Sequence, residues 1–365
     1  MLEQLVPVAE DARIRVPEHA LPIALVGAGA IVEYAHIPAY RASGFPIAGV
    51  FDVDEARARD VADRFGIPQV YPSLDELLTD PTVGVVDIAV PPWVQPGILR
   101  QVVAAGRHAL CQKPFALDPM TAAELASVVD ASSVKVAVQQ QMRYDEGIAA
   151  ARSMVQRGWI GEVTAITFAV DIATDWSAWP WLVDSDRLEI MYHSIHYLDS
   201  IRSILGTPER VFCAAGRRPG QIAAAETRTM SVLMYPRGVR ALVHANHENQ
   251  GGDVSATFRI DGTEGAIRGT IGLLYDYPHG RPDTVEVFSR SLPTDGWLPY
   301  PVTKRWLPDA FAGPMADLQS WIAGGELAPT RVEENLGTLA VVDALYRSIA
   351  SGEAESVDHI ALVGR

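Results

Sequence analysis

Between residues 21 and 138 the chain alternates short apolar runs with amphipathic stretches, and this alternation limits the fold more than any other feature. Leu21–Val26 is an apolar run that ends at Gly27, and a periodic segment follows from Ile31 to about Ala42. Ile47–Phe51 is a second run, ending at Asp52. Asp54 then caps a helical stretch, Glu55–Phe65, which stops at Gly66. Val83–Val90, Arg107–Cys111 and Val134–Val138 read as further buried strands, with helices at roughly 73–79, 94–105 and 118–131 between them. Strands that alternate with helices in this way form βαβ units on a parallel sheet.

Near residue 142 the pattern changes. Met142–Arg157 reads as one helix, stopped by Gly158. Alternating strands follow at about 162–173, 208–216, 227–235, 238–247, 254–260 and 264–269, with Val285–Ser289 as a possible further one. Turn signals such as Pro236-Arg237-Gly238 and Asp261-Gly262 separate several of them. A helix at about 187–205 interrupts the series, and helices at about 310–323 and 331–350 close the chain. The expected fold class is therefore α/β plus α+β. Residues 1–141 form a doubly wound parallel sheet, with 1–20 as an arm on the surface or on a neighbouring subunit. Residues 142–365 form an α+β domain on an open, mostly antiparallel sheet.

The bulk numbers exclude several classes. With 30 Lys and Arg against 45 Asp and Glu, the net charge is −15, which disfavours nucleic acid as a partner. Two cysteines make no disulfide framework, so a reducing, cytoplasmic setting is expected. Residues 1–20 carry charges throughout and no apolar secretory core, and no uncharged run is long enough to cross a bilayer.

The first strand ends in Gly27-Ala28-Gly29-Ala30-Ile31 as the first helix begins. Gly27 permits the tight turn. Gly29 lets the backbone approach a pyrophosphate lying on the helix N-terminus, beside Ala30 and Ile31. Val32 stands where the dinucleotide fingerprint has its third glycine. Asp52 ends the second strand 23 residues beyond Gly29, where a carboxylate accepts hydrogen bonds from a ribose diol and repels a 2′-phosphate. No arginine immediately follows it, so the expected cofactor is NAD, with NADP second. The segment reads as a dinucleotide-binding Rossmann domain.

Four more segments are informative: Ala89-Val90-Pro91-Pro92, Gly106–Pro114, Gln141-Met142-Arg143-Tyr144 and Ile195-His196-Tyr197-Leu198-Asp199. With the glycine turn, their order and spacing resembles the glucose–fructose oxidoreductase/inositol dehydrogenase/MocA family over about residues 21–355. Leu336–Gly352 looks like that family's last helix. The resemblance implies a homodimer or homotetramer formed through the C-terminal sheet, and a carbohydrate-like small-molecule substrate. It adds Pro91 and Gln95 to the cofactor contacts, with Gln95 standing where the family commonly has a histidine. The family's Glu-Lys-Pro reads Gln112-Lys113-Pro114, and a cis Lys113–Pro114 bond is usual there. The family's Asp-x-x-x-His reads Tyr192-His193-Ser194-Ile195-His196, so the histidine is kept and the aspartate is lost.

Hydride transfer from an alcohol needs a base for the hydroxyl proton and a stabiliser for the negative charge on oxygen. His196, with an imidazole titrating near ~6.5, suits the first task. Lys113, on the loop after the Arg107–Cys111 strand, suits the second, and the two are expected to converge beside the nicotinamide. At about 100° per residue, Tyr192, His196, Asp199 and Ser203 share one helical stripe flanked by His193, with no Lys or Glu on it, which reads as a cleft lining. Tyr192 either shares the acid–base role, its phenol lowered by Lys113, or only shapes the pocket. Trp179, near Trp176 and Trp181, either stacks on a sugar ring or packs a core. Arg143 either touches substrate or forms a structural ion pair. His193 and His196 are i, i+3 neighbours without an evident third ligand, so no metal is expected. His244 and His247 lie in one strand and face opposite sides. Three functions compete: an NAD-dependent dehydrogenase, a redox-neutral glycoside-cleaving enzyme with tightly held NAD, and a sensor without turnover.

Overall fold

The computed structural model describes residues 2–293 and 296–363. The chain forms two compact units. The first gathers residues 14–144, 307–339 and the C-terminal segment from His359; the second gathers the N-terminal segment through Arg13, residues 145–306 and residues 340–358. The sequence placed one boundary at 141/142. In the fold the chain changes unit at 144/145 and again at 13/14, 306/307, 339/340 and 358/359. The opening segment is not a bare arm. It is helix α1 (Leu2–Ala12), which buries Leu5, Val8 and Ala12 and belongs to the second unit.

The first unit is built on a five-stranded parallel sheet of β1 (Ile23–Val26), β2 (Ile47–Phe51), β3 (Val85–Ile88), β4 (His108–Cys111) and β5 (Val136–Val138), in the order β2-β1-β3-β4-β5. Its crossovers carry α2 (Ile37–Ala42), α3 (Glu55–Phe65), α4 (Leu74–Thr79), α5 (Gln95–Ala104) and α6 (Pro119–Asp130). The helix ends follow local chemistry. The Asp54 side chain accepts from Arg57 N, and Gly66 closes α3 in the left-handed conformation at φ 56°. The C-terminal stretch returns to this unit through Gln319, whose amide donates to Leu21 O (3.1 Å) and accepts from Leu21 N (2.7 Å).

In the second unit, α7 (Glu146–Gln156) packs on α1, and Asp11 accepts from Ser153 (2.6 Å) and Arg157 (2.7 Å). The unit continues through β6 (Val163–Asp171), the short α8 (Pro180–Val183) and α9 (Ile195–Leu205). Then come β7 (Arg210–Gly216), β8 (Arg228–Met234), β9 (Arg240–Asn246), β10 (Ser255–Gly262), β11 (Gly265–Thr270), β12 (Val285–Ser289) and β13 (Leu298–Tyr300). Helix α10 (Ala312–Ile322) lies in the first unit. Helix α11 (Val332–Ser351) begins there and ends in the second, followed by β14 (Glu355–Ser356). The sheet of nine strands runs β13-β12-β11-β10-β6-β9-β8-β7-β14, antiparallel except where β6 meets β9. Alternate residues face the core: Ile166, Phe168 and Val170 of β6, Val243 of β9, and Phe258 of β10. The Tyr197 ring of α9 stacks on Phe168 at 5.1 Å, fixing that helix to the sheet. The opposite face leaves Met230, Leu242 and Phe288 exposed. Among the described residues no helix is long and apolar enough to cross a membrane.

Two carboxyl groups are buried together in this unit. Burial and the proximity of Asp283 raise the Asp145 carboxyl well above its ordinary range, and burial raises Asp283 to about 6. The folded pair holds a proton that the unfolded chain releases near pH ~4. Stability should therefore fall as pH rises from about 4 through about 6 and above. Asp145→Asn should flatten that slope and raise Tm at pH 7.5 relative to the parent. An unchanged slope in thermal melts across pH 4–8 would refute the shared proton.

Candidate active site

In the first unit the turn after β1 is set by contact. A Cβ on Gly27 would sit 2.3 Å from Ala89 O, and its φ is 106°, so only glycine fits. Gly29 differs: a Cβ there meets nothing within 4 Å, which leaves open space over the first helical turn. Gly29 O accepts from Val32 N (2.9 Å) and Glu33 N (3.3 Å), Ala30 is exposed and Ile31 half-buried. Asp52 accepts from Ala28 N (2.8 Å) and Asp54 N (2.9 Å), which binds the end of β2 to the glycine turn. Arg57, 51% exposed, lies 3.7 Å from the Asp52 carboxylate. An arginine therefore does accompany Asp52, one helical turn further on than the sequence reading looked for it.

The loop carrying Lys113 is anchored by a buried polar line. Gln112 Oε1 accepts from Lys113 N (2.7 Å), and Gln112 Nε2 meets His36 Nε2 at 3.0 Å. His36 Nδ1 meets Asp87 Oδ2 at 2.6 Å, and Tyr40 donates to the same oxygen at 2.7 Å. With Nδ1–H donating to the carboxylate, the other ring nitrogen accepts from the Gln112 amide. His36 and Asp87 are fully buried. The helical segment that carries His36 and Tyr40 begins as a π-turn, Val32–His36. The Lys113–Pro114 bond is cis, as the resemblance implied. Burial lowers the Lys113 ammonium to about 8.

Two expected ligand contacts are given other work. Gln95 is buried, and its Nε2 donates to the carbonyls of Gln112 (2.9 Å), Pro114 (3.2 Å) and Phe115 (3.1 Å). Its amide nitrogen holds the lysine loop. Arg143 is buried, donates to Pro329 O (3.0 Å) and lies 3.7 Å from Glu334, so the structural ion pair is the reading the fold supports. Pro91 is exposed beyond β3 and accepts from Val94 N (2.9 Å).

In the second unit the histidine helix starts as a π-turn, Ile190–Ser194, before α9. Its first amides are satisfied by Glu226, which accepts from Leu188 N (3.2 Å), Ile190 N (3.3 Å) and Tyr346 Oη (2.7 Å). The wider turn breaks the 100° count, and α9 is buried on all sides from Ile195 to Arg202. The polar stripe read as a cleft lining thus lies on a helix buried from Ile195 to Arg202. His196 and Asp199 are both buried within it, and the His196 ring meets Trp306 edge-on at 5.1 Å.

Tyr192 is corrected as well. Burial raises its phenol above the ordinary value, against a smaller lowering by a hydrogen bond with Ser185, which is opposite to the lowering expected. Its ring meets Trp181 edge-on at 5.4 Å and packs with Trp176, Leu182 and Leu188. Trp179, half-buried, joins the same cluster and contacts Trp176 and Tyr277.

His193 is drawn into a group the sequence did not disclose. Its Nδ1 lies 3.7 Å from Glu189 Oε1 and 3.2 Å from His247 Nε2. Burial pushes the Glu189 carboxyl upward, but hydrogen bonds from His193 and His247 outweigh it and hold the acid below the ordinary carboxylate range. Glu189 stands four residues before His193, a legible helical spacing. His247 comes from the end of β9, and no spacing rule links it to either.

The family model described as "Oxidoreductase family, NAD-binding Rossmann fold" matches residues 21–140, and the "GFO/IDH/MocA C-terminal domain" model matches residues 148–268. The chain is 28% identical to a D-apiose dehydrogenase of Paraburkholderia graminis over 345 residues, covering 90% of this chain and 88% of the relative. It is 25% identical to D-xylose 1-dehydrogenase (NADP(+)) 2 of Haloferax volcanii, covering 92% of this chain and 99% of the relative. A crystal structure of an oxidoreductase from Agrobacterium radiobacter in complex with NAD+, L-tartaric acid and magnesium superposes with a TM-score of 0.80 at 26% identity, over 93% of this chain and 99% of that one.

Gly29→Ala should leave thermal stability within about 1 kcal/mol of the parent, because the added methyl meets nothing. It should weaken dinucleotide binding by at least about tenfold, read by quenching of intrinsic fluorescence. Equal affinity in the two proteins would remove Gly29 from the nucleotide site. Tyr192→Phe should keep turnover within about threefold of the parent and leave the pH profile in place, since its raised phenol is a poor base near neutrality.

Proposed function

Because the chain belongs to the Gfo/Idh/MocA family of oxidoreductases, with an NAD-binding Rossmann fold, we propose that it is an NAD-dependent dehydrogenase working between a secondary alcohol and the ketone of a sugar, cyclitol or glycoside. The observation that carries this reading is the glycine turn, closed against Ala89 at Gly27, open over Gly29, and tied to Asp52. That geometry fits a dinucleotide: backbone for the pyrophosphate at Gly29, Ala30 and Ile31, and a carboxylate for the ribose. Bound nicotinamide supplies the hydride acceptor or donor.

Lys113 is assigned to the substrate oxygen, where its ammonium stabilises developing negative charge. A value of about 8 keeps it mostly protonated at neutral pH. His196 is assigned the hydroxyl proton. His193, Asp199 and Trp179 are assigned to substrate contact, with Tyr192 shaping the pocket. NAD is preferred because Asp52 disfavours a 2′-phosphate. Arg57 beside it supplies the opposite charge, which sets the preference as one of degree. The relatives' names, apiose and xylose dehydrogenases, support a sugar as substrate. The exposed face with Met230, Leu242 and Phe288 is assigned to association of copies.

With sugars, inositols and glycosides supplied alongside NAD, reduced nicotinamide should accumulate in proportion to substrate consumed. Product release without net reduction would replace this reading with redox-neutral cleavage. As pH rises through about 8, Lys113 loses its proton and kcat/KM should fall. Lys113→Arg should abolish that alkaline limb, and Lys113→Met and His196→Ala should each lower kcat at least about 100-fold. Asp52→Ala should shift the NAD to NADP ratio of kcat/KM toward NADP; an unaltered ratio would dismiss the role of Asp52.

A further inference from the structure

We propose that Glu189, His193 and His247 bind one divalent transition-metal ion of the zinc type. All three residues lie in the second unit, and they are the one group of potential ligands of this kind among the described residues. Three atoms define the site: Glu189 Oε1, His193 Nδ1 and His247 Nε2. Their separations are 3.7 Å from Glu189 to His193, 3.8 Å from Glu189 to His247, and 3.2 Å between the histidines. The point equidistant from them lies about 2.1 Å from each, the length of a zinc–nitrogen or zinc–carboxylate bond. The ring centroids of His193 and His247 are 4.3 Å apart, so a turn of the imidazoles would aim both lone pairs at that point.

The surroundings orient the same three atoms. His247 Nδ1 meets the Thr174 hydroxyl at 2.8 Å, which turns its Nε2 toward the cluster. The Trp176 ring lies 5.1 Å from that imidazole. Glu189 Oε1 accepts from Ser194 (2.5 Å) and Oε2 from Thr229 (2.5 Å), which fixes the carboxylate plane. Outer partners of this kind set ring tautomer and ligand direction in metal sites. Glu189 and His247 are buried, while the His193 side chain is 21% exposed and marks the way in. Two imidazoles and one carboxylate suit zinc and its first-row neighbours better than magnesium, which prefers oxygen. Three protein ligands leave a position for water or an oxygen-bearing ligand. The competing arrangement joins the same atoms by a proton, with an imidazolium beside the carboxylate.

The test uses the full chain, freed of metal by dialysis against a chelator. Calorimetric titration with Zn2+ alone should give one ion per chain with a Kd below about 10 µM, and Co2+ should give the visible absorption of a low-symmetry nitrogen–oxygen site. His193→Ala, at the exposed edge, should weaken Zn2+ binding at least about 100-fold, and Glu189→Gln and His247→Asn should do the same where circular dichroism shows them folded. His244→Asn, outside the cluster, should bind as the parent does. Absence of saturable Zn2+ binding and of Co2+ absorption in the parent would establish the proton-bridged cluster instead. Binding that survives His193→Ala unchanged would place the ion elsewhere, and either result overturns the proposal.

Discussion

Asp87 lies in the middle strand of the parallel sheet with no exposure to solvent, and an isolated carboxylate there would cost several kcal/mol. His36 and Tyr40 both donate to it, and the remaining nitrogen of His36 then accepts from Gln112. This sequence of donors and acceptors fixes the imidazole in one neutral tautomer. It also gives a reason for glutamine where the family has glutamate. A carboxylate at 112 would require a proton on His36 Nε2 and would sandwich a buried cation between two acids. The amide meets the same nitrogen without charge and still accepts from the Lys113 amide. Gln95 clamps the other side of the loop, so the lysine backbone is held by groups from three separate segments.

The second unit uses a different device. Glu226 takes up the opening amides of the histidine helix, and Tyr346 of α11 donates to the same oxygen. The helix is then wedged on the sheet by Tyr197 against Phe168. Among the described residues both π-turns contain a histidine of interest: Val32–His36 ends on one, and Ile190–Ser194 includes His193. A π-turn adds a residue to the helical period and redirects a side chain without breaking the helix.

Strong local signals explain what the sequence disclosed. Helix α3 has the bounds expected, because Asp54 and Gly66 terminate it at both ends, and β2 and β12 also match residue for residue. Helix α1 is not legible from the pattern because it holds Pro7, which breaks the helical signal. Strands β13 and β14 have three and two residues, too few to display a period. The tight turn at Gly27, the place of Asp52 at the end of β2 and the cis Lys113–Pro114 bond were legible from motif and order. The orientation of Tyr192 was not, because a π-turn leaves no mark in the pattern of apolar residues. The backbone partners of Gln95 and Arg143 were not legible, because polar identity does not say whether a side chain meets solvent, ligand or a neighbouring carbonyl. The partnership of Glu189 and His193 with His247 spans two elements and needed coordinates.

The threading of the chain between units bears on how the molecule is made. Leu21, just ahead of the first strand, is fastened by Gln319, so the half with the glycine turn waits for residues near the far end of the polypeptide. The other half waits equally, since α7 is ready early but the helix ending at Ser351 and the β14 strand come much later. Synthesis of this chain therefore completes the first half only after Gln319 has emerged, and the second only after Ser351 has. Until those segments emerge, a nascent chain carries two unfinished apolar surfaces, the kind that chaperones shield.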